Sequence, residues 1–157
     1  MPRFSPEVID HFTNPRNCGR LAAADVTAFV GNPVCGDQIL LTARVRDDEI
    51  SEVTFEAFGC SAALAVASIL TEQLDGMALA DVAVLNPDRV ADWAGGLSPD
   101  QRHVAVLGGD VARRLAEIAF LEGRLRHSRE GREFVHHATD IADLADDRVG
   151  ALVEDLA

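Results

Sequence analysis

Lysine is absent from this chain: all 14 of its basic residues are arginine, set against 26 acidic ones, for a formal net charge of -12. A protein that grips nucleic acid needs a basic stripe to release counterions from phosphates, and none is present. The nearest approach, Arg124, Arg126, Arg129 and Arg132, alternates with Glu122, Glu130 and Glu133 and reads as a solvated helix face. No apolar stretch reaches the roughly 18 to 20 residues that span a bilayer. The opening Met1-Pro2-Arg3-Phe4-Ser5-Pro6 turns polar at once, so neither export nor anchoring is expected, and the cytoplasm is the expected location. Cysteine is scarce, and its count of 3 is odd. Without a signal peptide this argues against a disulfide framework and for reduced thiols used in chemistry or packing. Also missing are a paired C-x-x-C knuckle and any Ser/His/Asp or Cys/His/Asn arrangement with a catalytic signature, so no enzyme is expected.

What is present suffices for one compact domain: 157 residues, 48% of them apolar. Ser5-Pro6-Glu7 starts a helix carrying Val8, Ile9 and Phe12, and Asn14-Pro15-Arg16-Asn17-Cys18-Gly19 ends it. Asp25 to Val30 alternates weakly. After the turn Gly31-Asn32-Pro33-Val34-Cys35-Gly36-Asp37, alternation over Ile39 to Arg46 and Ile50 to Phe58, joined by Asp47-Asp48-Glu49, predicts an antiparallel hairpin with the earlier strand beside it. Beyond Gly59-Cys60, the run from Ser61 to Leu70 is small and apolar and predicts a buried helix ending near Gly76. A short helix over Leu79 to Leu85 follows, then one opened by Asn86-Pro87-Asp88. Ser98-Pro99-Asp100 starts a helix whose apolar face is Val104, Leu107, Val111, Leu115 and Ile118. Gly108-Gly109 inside it predicts a close contact or a kink, since each glycine costs roughly 1 kcal/mol of helix propensity. Arg126 to Arg132 reads as a linker, and the acidic tail with Phe134, Ile141, Leu144, Val149, Leu152 and Leu156 as one or two further amphipathic helices.

Four residues could carry chemistry. Gly36 lets the backbone turn so that the Cys35 thiol and the Asp37 carboxyl face one point. Cys60 stands where a strand meets a helix, whose free N–H groups would favour its thiolate. His103 falls in the first turn of another helix. Such a set could close a tetrahedral zinc site or hold an iron–sulfur cluster, and spacing alone does not choose between them. Each residue also has a plainer use: cysteine as a small buried hydrophobe, Asp37 as a turn cap, His103 as an ordinary structural or exposed side chain.

Read in order from about Phe4 to about Phe120, the motifs resemble the amino-terminal scaffold domain of the IscU/NifU family. Val8-Ile9-Asp10-His11-Phe12 with Asn14 to Gly19 looks like its first helix and N-P-R-N-x-G turn. Gly31 to Asp37 and Phe58-Gly59-Cys60-Ser61-Ala62 look like the segments bearing its first two cysteines. Leu97 to Val104 is similar to its chaperone-recognition loop, which runs into a His-Cys pair. Here that pair is His103-Val104, so the third cysteine, a cluster ligand and the usual acceptor of persulfide, is replaced. Ser98 stands in place of the loop's second proline and Gln101 in place of its lysine.

The resemblance implies an α+β fold, with a three-stranded antiparallel sheet covered by helices on one face and the ligands at one exposed end. It implies a scaffold domain over residues 1–125 and a scaffold or carrier holding a labile [2Fe-2S] cluster through Cys35, Cys60, His103 and Asp37 for transfer to apoproteins; the acidic tail, expected from its own residues as a helical extension over 126–157, lies outside the resemblance. Cysteine desulfurase and recipient apoproteins are its implied partners, and handover to a dedicated Hsp70-type chaperone is not expected of the altered loop. The rival readings are a zinc-binding structural or regulatory protein on the same four residues, and an interaction module that has lost its metal. Cys18 is expected to be structural.

Overall fold

A computed structural model describes residues 3–130, with side chains described to residue 124. The helical tail expected beyond residue 130 lies outside the described residues. Contacts divide the chain into two units, Met1–Ala119 and Phe120–Ala157.

The first unit opens with helix α1 (Pro6–Thr13), whose cap is the one the sequence predicts: Val8 N–H donates to Ser5 Oγ at 3.1 Å. Strands β1 (Val26–Gly31), β2 (Gln38–Arg46) and β3 (Glu49–Phe58) form an antiparallel meander in the order β1-β2-β3. Alternation sorts their faces: Val26, Ala28, Ile39, Leu41, Ala43, Ile50, Val53 and Phe55 are buried on one side. Against that side lies α2 (Ser61–Leu74), rich in alanine and aliphatic residues and buried along most of its length. Two short helices, α3 (Leu79–Val82) and α4 (Pro87–Trp93), follow, the latter capped by Asn86 accepting from Arg89 N–H.

A 3-10 turn, Pro99–Gln101, leads into α5 (Arg102–Glu130). The stretch read as a linker from Arg126 is therefore helical through Glu130. Its charged residues suit an exposed helix as well as a loop, which is why charge alone misplaced it. Gly108 is the close contact that the glycine pair predicts: an added Cβ would lie 3.1 Å from Leu70 and Val66 and 3.3 Å from Val90. Gly109 has no contact that tight.

The segment Asn14 to Gly19 is a clamp as well as a helix stop. Arg16 N–H donates to Ser68 Oγ at 2.9 Å and Asn17 Nδ2 to Thr71 Oγ1 at 3.1 Å, tying the turn to α2. Its other side pairs with the exposed edge of β3: Phe55 N–H donates to Asn17 O at 2.9 Å, and Gly19 N–H to Phe55 O at 2.8 Å. A strand edge that would otherwise stay open is covered there.

Candidate metal centre at the exposed end of the sheet

The loop between β1 and β2 is folded by Asn32. Its Oδ1 accepts from Val34 N–H at 2.9 Å and Cys35 N–H at 3.4 Å, while Gly36 N–H donates to Asn32 O and Asn32 N–H to Asp37 O, each at 2.8 Å. Gly36 closes the loop at φ 76, a conformation that disfavours side chains. The result turns Cys35 outward and Asp37 inward: the thiol is exposed and the carboxyl is 2% exposed.

Asp37 then acts as a hub. Its Oδ1 accepts the N–H of Cys60, the N-cap residue of α2, at 2.8 Å. Its Oδ2 meets three groups from three different elements: the Cys35 thiol at 3.4 Å, the Cys60 thiol at 3.5 Å and His103 Nε2 at 3.1 Å. Burial pushes the Asp37 carboxyl upward, but the Cys60 N–H, both thiols and the His103 ring together outweigh it and hold the group below its ordinary value. The approach is possible because Gly59 has no side chain: at φ 135, an added Cβ would stand 2.1 Å from Asp37 Oδ1 and 2.9 Å from Asp37 Cα.

The expected helix-end effect on Cys60 is present but loses. N–H groups of Ala62 and Ala63 support its sulfur, yet partial desolvation and the neighbouring Asp37 carboxylate push the thiol's pKa up. Without a cation the site therefore favours the thiol, in contrast to the thiolate that the strand-to-helix position predicts. Neither Cys35 nor Cys60 is a core hydrophobe; both are exposed, and so is Cys18. Cys18 lines a shallow groove with Phe12, Pro15, Phe55 and Leu64, and its backbone bridges to Phe55.

Cys35, Asp37 and His103 each offer a ligand atom within 4.8 Å of one another, the one such group found among the described residues. Cys60 reaches the same carboxylate oxygen but is not part of that tightest set. Val104, beside His103, faces the other way and is fully buried in the core, where it offers no donor. Sequence reasoning missed Gly59 and Asn32, which shape the site, and the carbonyl of Asp100, which His103 Nδ1 meets at 2.9 Å. The turn-forming Asn-Pro between two strands could have pointed to Asn32, and a glycine directly before Cys60 at the strand-to-helix junction to Gly59.

The donor set fits a soft or borderline cation better than a hard one. Two sulfurs, an imidazole and one carboxylate suit zinc or iron, and the site lies open to solvent on the Cys35 side. A meander backed by helices, with such donors gathered at one end, defines a small α+β domain. Residues 3–122 match the NifU-like N terminal domain, and the chain belongs to that family.

Its relatives include the iron-sulfur cluster assembly scaffold protein IscU 1 of Archaeoglobus fulgidus, 40% identical over 111 residues that cover 71% of this chain and 72% of the relative. IscU of Aquifex aeolicus is 40% identical over 107 residues, 67% of this chain and 68% of that one. IscU of Azotobacter vinelandii is 37% identical over 112 residues, 69% and 87% of the two chains. The fold is that of the NifU-like N-terminal protein from Brucella abortus, with TM-score 0.58 and 17% identity over 72% of this chain and 91% of the other.

Proposed function

We propose that this chain is an iron–sulfur cluster assembly scaffold or carrier, holding a labile [2Fe-2S] cargo on Cys35, Cys60, His103 and Asp37 and passing it to recipient apoproteins. The observation that carries the reading is the meeting of two thiols and an imidazole on one oxygen of a buried carboxylate. Asp37 commits Oδ1 to the Cys60 backbone and leaves Oδ2 as a single donor, so it can bind without dismantling the start of α2. Imidazole and carboxylate hold iron less tenaciously than thiolates do, which suits a cargo meant to leave.

Loading requires two protons to go: the thiols of Cys35 and Cys60 must ionise as the cation arrives, so uptake is favoured at higher pH. Sulfur would come from a cysteine desulfurase. Val104 cannot accept it, which leaves persulfide transfer to one of the two exposed site thiols, or sulfide released from the desulfurase persulfide by a thiol reductant, as the route. A dedicated Hsp70-type chaperone is not part of this reading, because Ser98 and Gln101 replace the loop's proline and lysine, and Gln101 is buried rather than presented. The role is one of holding and exchange, not catalysis, in the cytoplasm, with no nucleic acid or membrane as partner. It belongs to residues 1–125, with 126–157 as a helical extension. Among the described residues no helix is long and apolar enough to cross a membrane.

Anaerobic incubation of the metal-free protein with ferrous iron, cysteine, a cysteine desulfurase and a thiol reductant, which supplies the electrons that turn persulfide sulfur into sulfide, tests the reading. After desalting, about two irons and two sulfides per chain with visible absorption are expected. One zinc per chain, and no chromophore under any anaerobic condition, would make this a zinc protein instead.

A further inference from the structure

Strand β3 ends at Phe58, two residues before Cys60, and it is an outer strand of the sheet. Successive residues of a strand turn their N–H and C=O groups alternately to the two sides. Phe55 turns its pair outward, to Asn17 and Gly19, so Ala57, in regular register opposite Ile39, turns its pair the same way. At the other end of the strand, the outward pair of Ile50 is met by Gly76 and Met77. Ala57 differs: among the described residues neither its N–H nor its C=O has a partner along that edge. An open donor and acceptor in strand geometry are a template for one more strand.

The surface on either side of Ala57 suits an added strand. On the helix side, where the Ala57 side chain points, lies a groove of about 260 Å³ walled by Phe12, Pro15, Cys18 and Leu64. On the opposite face a hollow of about 220 Å³ is floored by Phe29, Leu40 and Phe58 and rimmed by the Arg20–Glu56 ion pair at 2.9 Å. Ala57 borders both, and Phe12 and Phe58 are 47% and 73% exposed. A strand laid along this edge would send successive side chains to alternate faces, one into each cavity. Sites of strand addition work in this way, with main-chain bonds supplying affinity and alternate pockets supplying specificity.

We propose that this edge docks an extended segment of a recipient apoprotein, which pairs with Ala57, seats an apolar side chain in the Phe12–Leu64 groove and rests the next one on Phe58. Its position fits the molecule that takes the cargo. Ala57 precedes Cys60 by three residues, at most about 10 Å of extended chain, and Leu64 N–H donates to Cys60 O at 3.2 Å, one helical turn further on. A segment seated there runs toward the cargo and brings the recipient's own thiols with it. The Cys35 loop, between β1 and β2 and away from this edge, is left to the sulfur donor. A net charge of -12 favours a segment with basic flanks. The inference rests on the scaffold reading for the identity of the partner, but the added strand can be detected without any metal.

The test is amide hydrogen exchange of the full, metal-free chain with and without the apo form of a plant-type [2Fe-2S] ferredoxin, paired with cluster transfer from the loaded chain to the same ferredoxin. The Ala57 amide should exchange about fivefold slower or more with saturating ferredoxin, the scale that one net hydrogen bond supports. Equal slowing of Phe55, already bonded to Asn17, would mark general stiffening and overturn the strand. A57P removes the N–H at an edge position where proline is tolerated, and F12D puts a charge in the groove. Both should load iron and sulfide like the wild type and transfer about fivefold slower or more; F12D carries the comparison if A57P fails to fold. Wild-type transfer by either folded variant, or an Ala57 amide that ferredoxin does not slow, would overturn the proposal and leave the scaffold reading standing. Ala57 protection that rises with the chain's own concentration, without ferredoxin, would give the edge to a second copy and overturn it too. A chain that never loads a cluster, yet whose Ala57 amide ferredoxin slows, would instead sink the scaffold reading and keep the docking site.

Discussion

A single oxygen, Asp37 Oδ2, is where three side chains far apart in sequence come together, so single-residue changes have sharply different consequences across this site. Cys35→Ser or Cys60→Ser should abolish the visible chromophore after anaerobic loading, whereas Cys18→Ser, in its separate groove, should leave iron and sulfide content unchanged. The four candidate ligands were legible because each stands at a marked break: beside Gly36, at a strand-to-helix junction, or just after a Ser-Pro helix start. Gly59 and Asn32 were not, because their value lies in contacts that only folding creates. Nor could sequence foresee that desolvation and the Asp37 charge would override the helix end at Cys60. His11 offers a test outside the site. Its Nδ1 meets Ser68 Oγ at 2.8 Å, and burial, followed by the nearby Arg16 charge, lowers its pKa from the ordinary 6.5 despite Glu72 and Asp10. The folded state thus resists a proton that the unfolded chain accepts. Stability should be full above pH 6.5 and decline as pH falls toward the folded-state pKa, at no more than about 1.4 kcal/mol per pH unit. Urea unfolding across that window should have this slope in the wild type and lose its His11 share in His11→Asn; identical pH profiles for the two would contradict the assignment.

Two glycines decide how the elements fit. Gly59→Ala would put a methyl where Asp37 Oδ1 now sits, at a φ that side chains rarely adopt. A loss of about 2 to 3 kcal/mol of stability is expected, together with reduced cluster occupancy, because Asp37 must withdraw from the Cys60 amide. Gly108→Leu would force a side chain against Val66, Leu70 and Val90, costing about 1 to 3 kcal/mol by overpacking while leaving the ligand set untouched. Thermal or urea unfolding of both variants, paired with iron content, separates a site effect from a packing effect. The strands and α2 were readable because alternation and small apolar runs report burial directly. Boundaries were less so: the helix expected to Leu85 stops at Val82, and the linker expected from Arg126 is helix. Ala83, Val84 and Leu85 carry no stop signal in their side chains, and the charged residues from Arg126 suit helix and loop equally.

For the whole molecule, every buried apolar residue among those described lies at or before Ala119. The central claim is that sulfur, nitrogen and oxygen donors of this one chain share a two-iron cargo. Mössbauer spectroscopy of protein loaded anaerobically with iron-57 addresses it most directly. Two inequivalent ferric doublets from a diamagnetic pair are expected, one broadened toward the larger isomer shift of nitrogen or oxygen ligation. A lone mononuclear iron signal, or no bound iron beside stoichiometric zinc, would contradict the account.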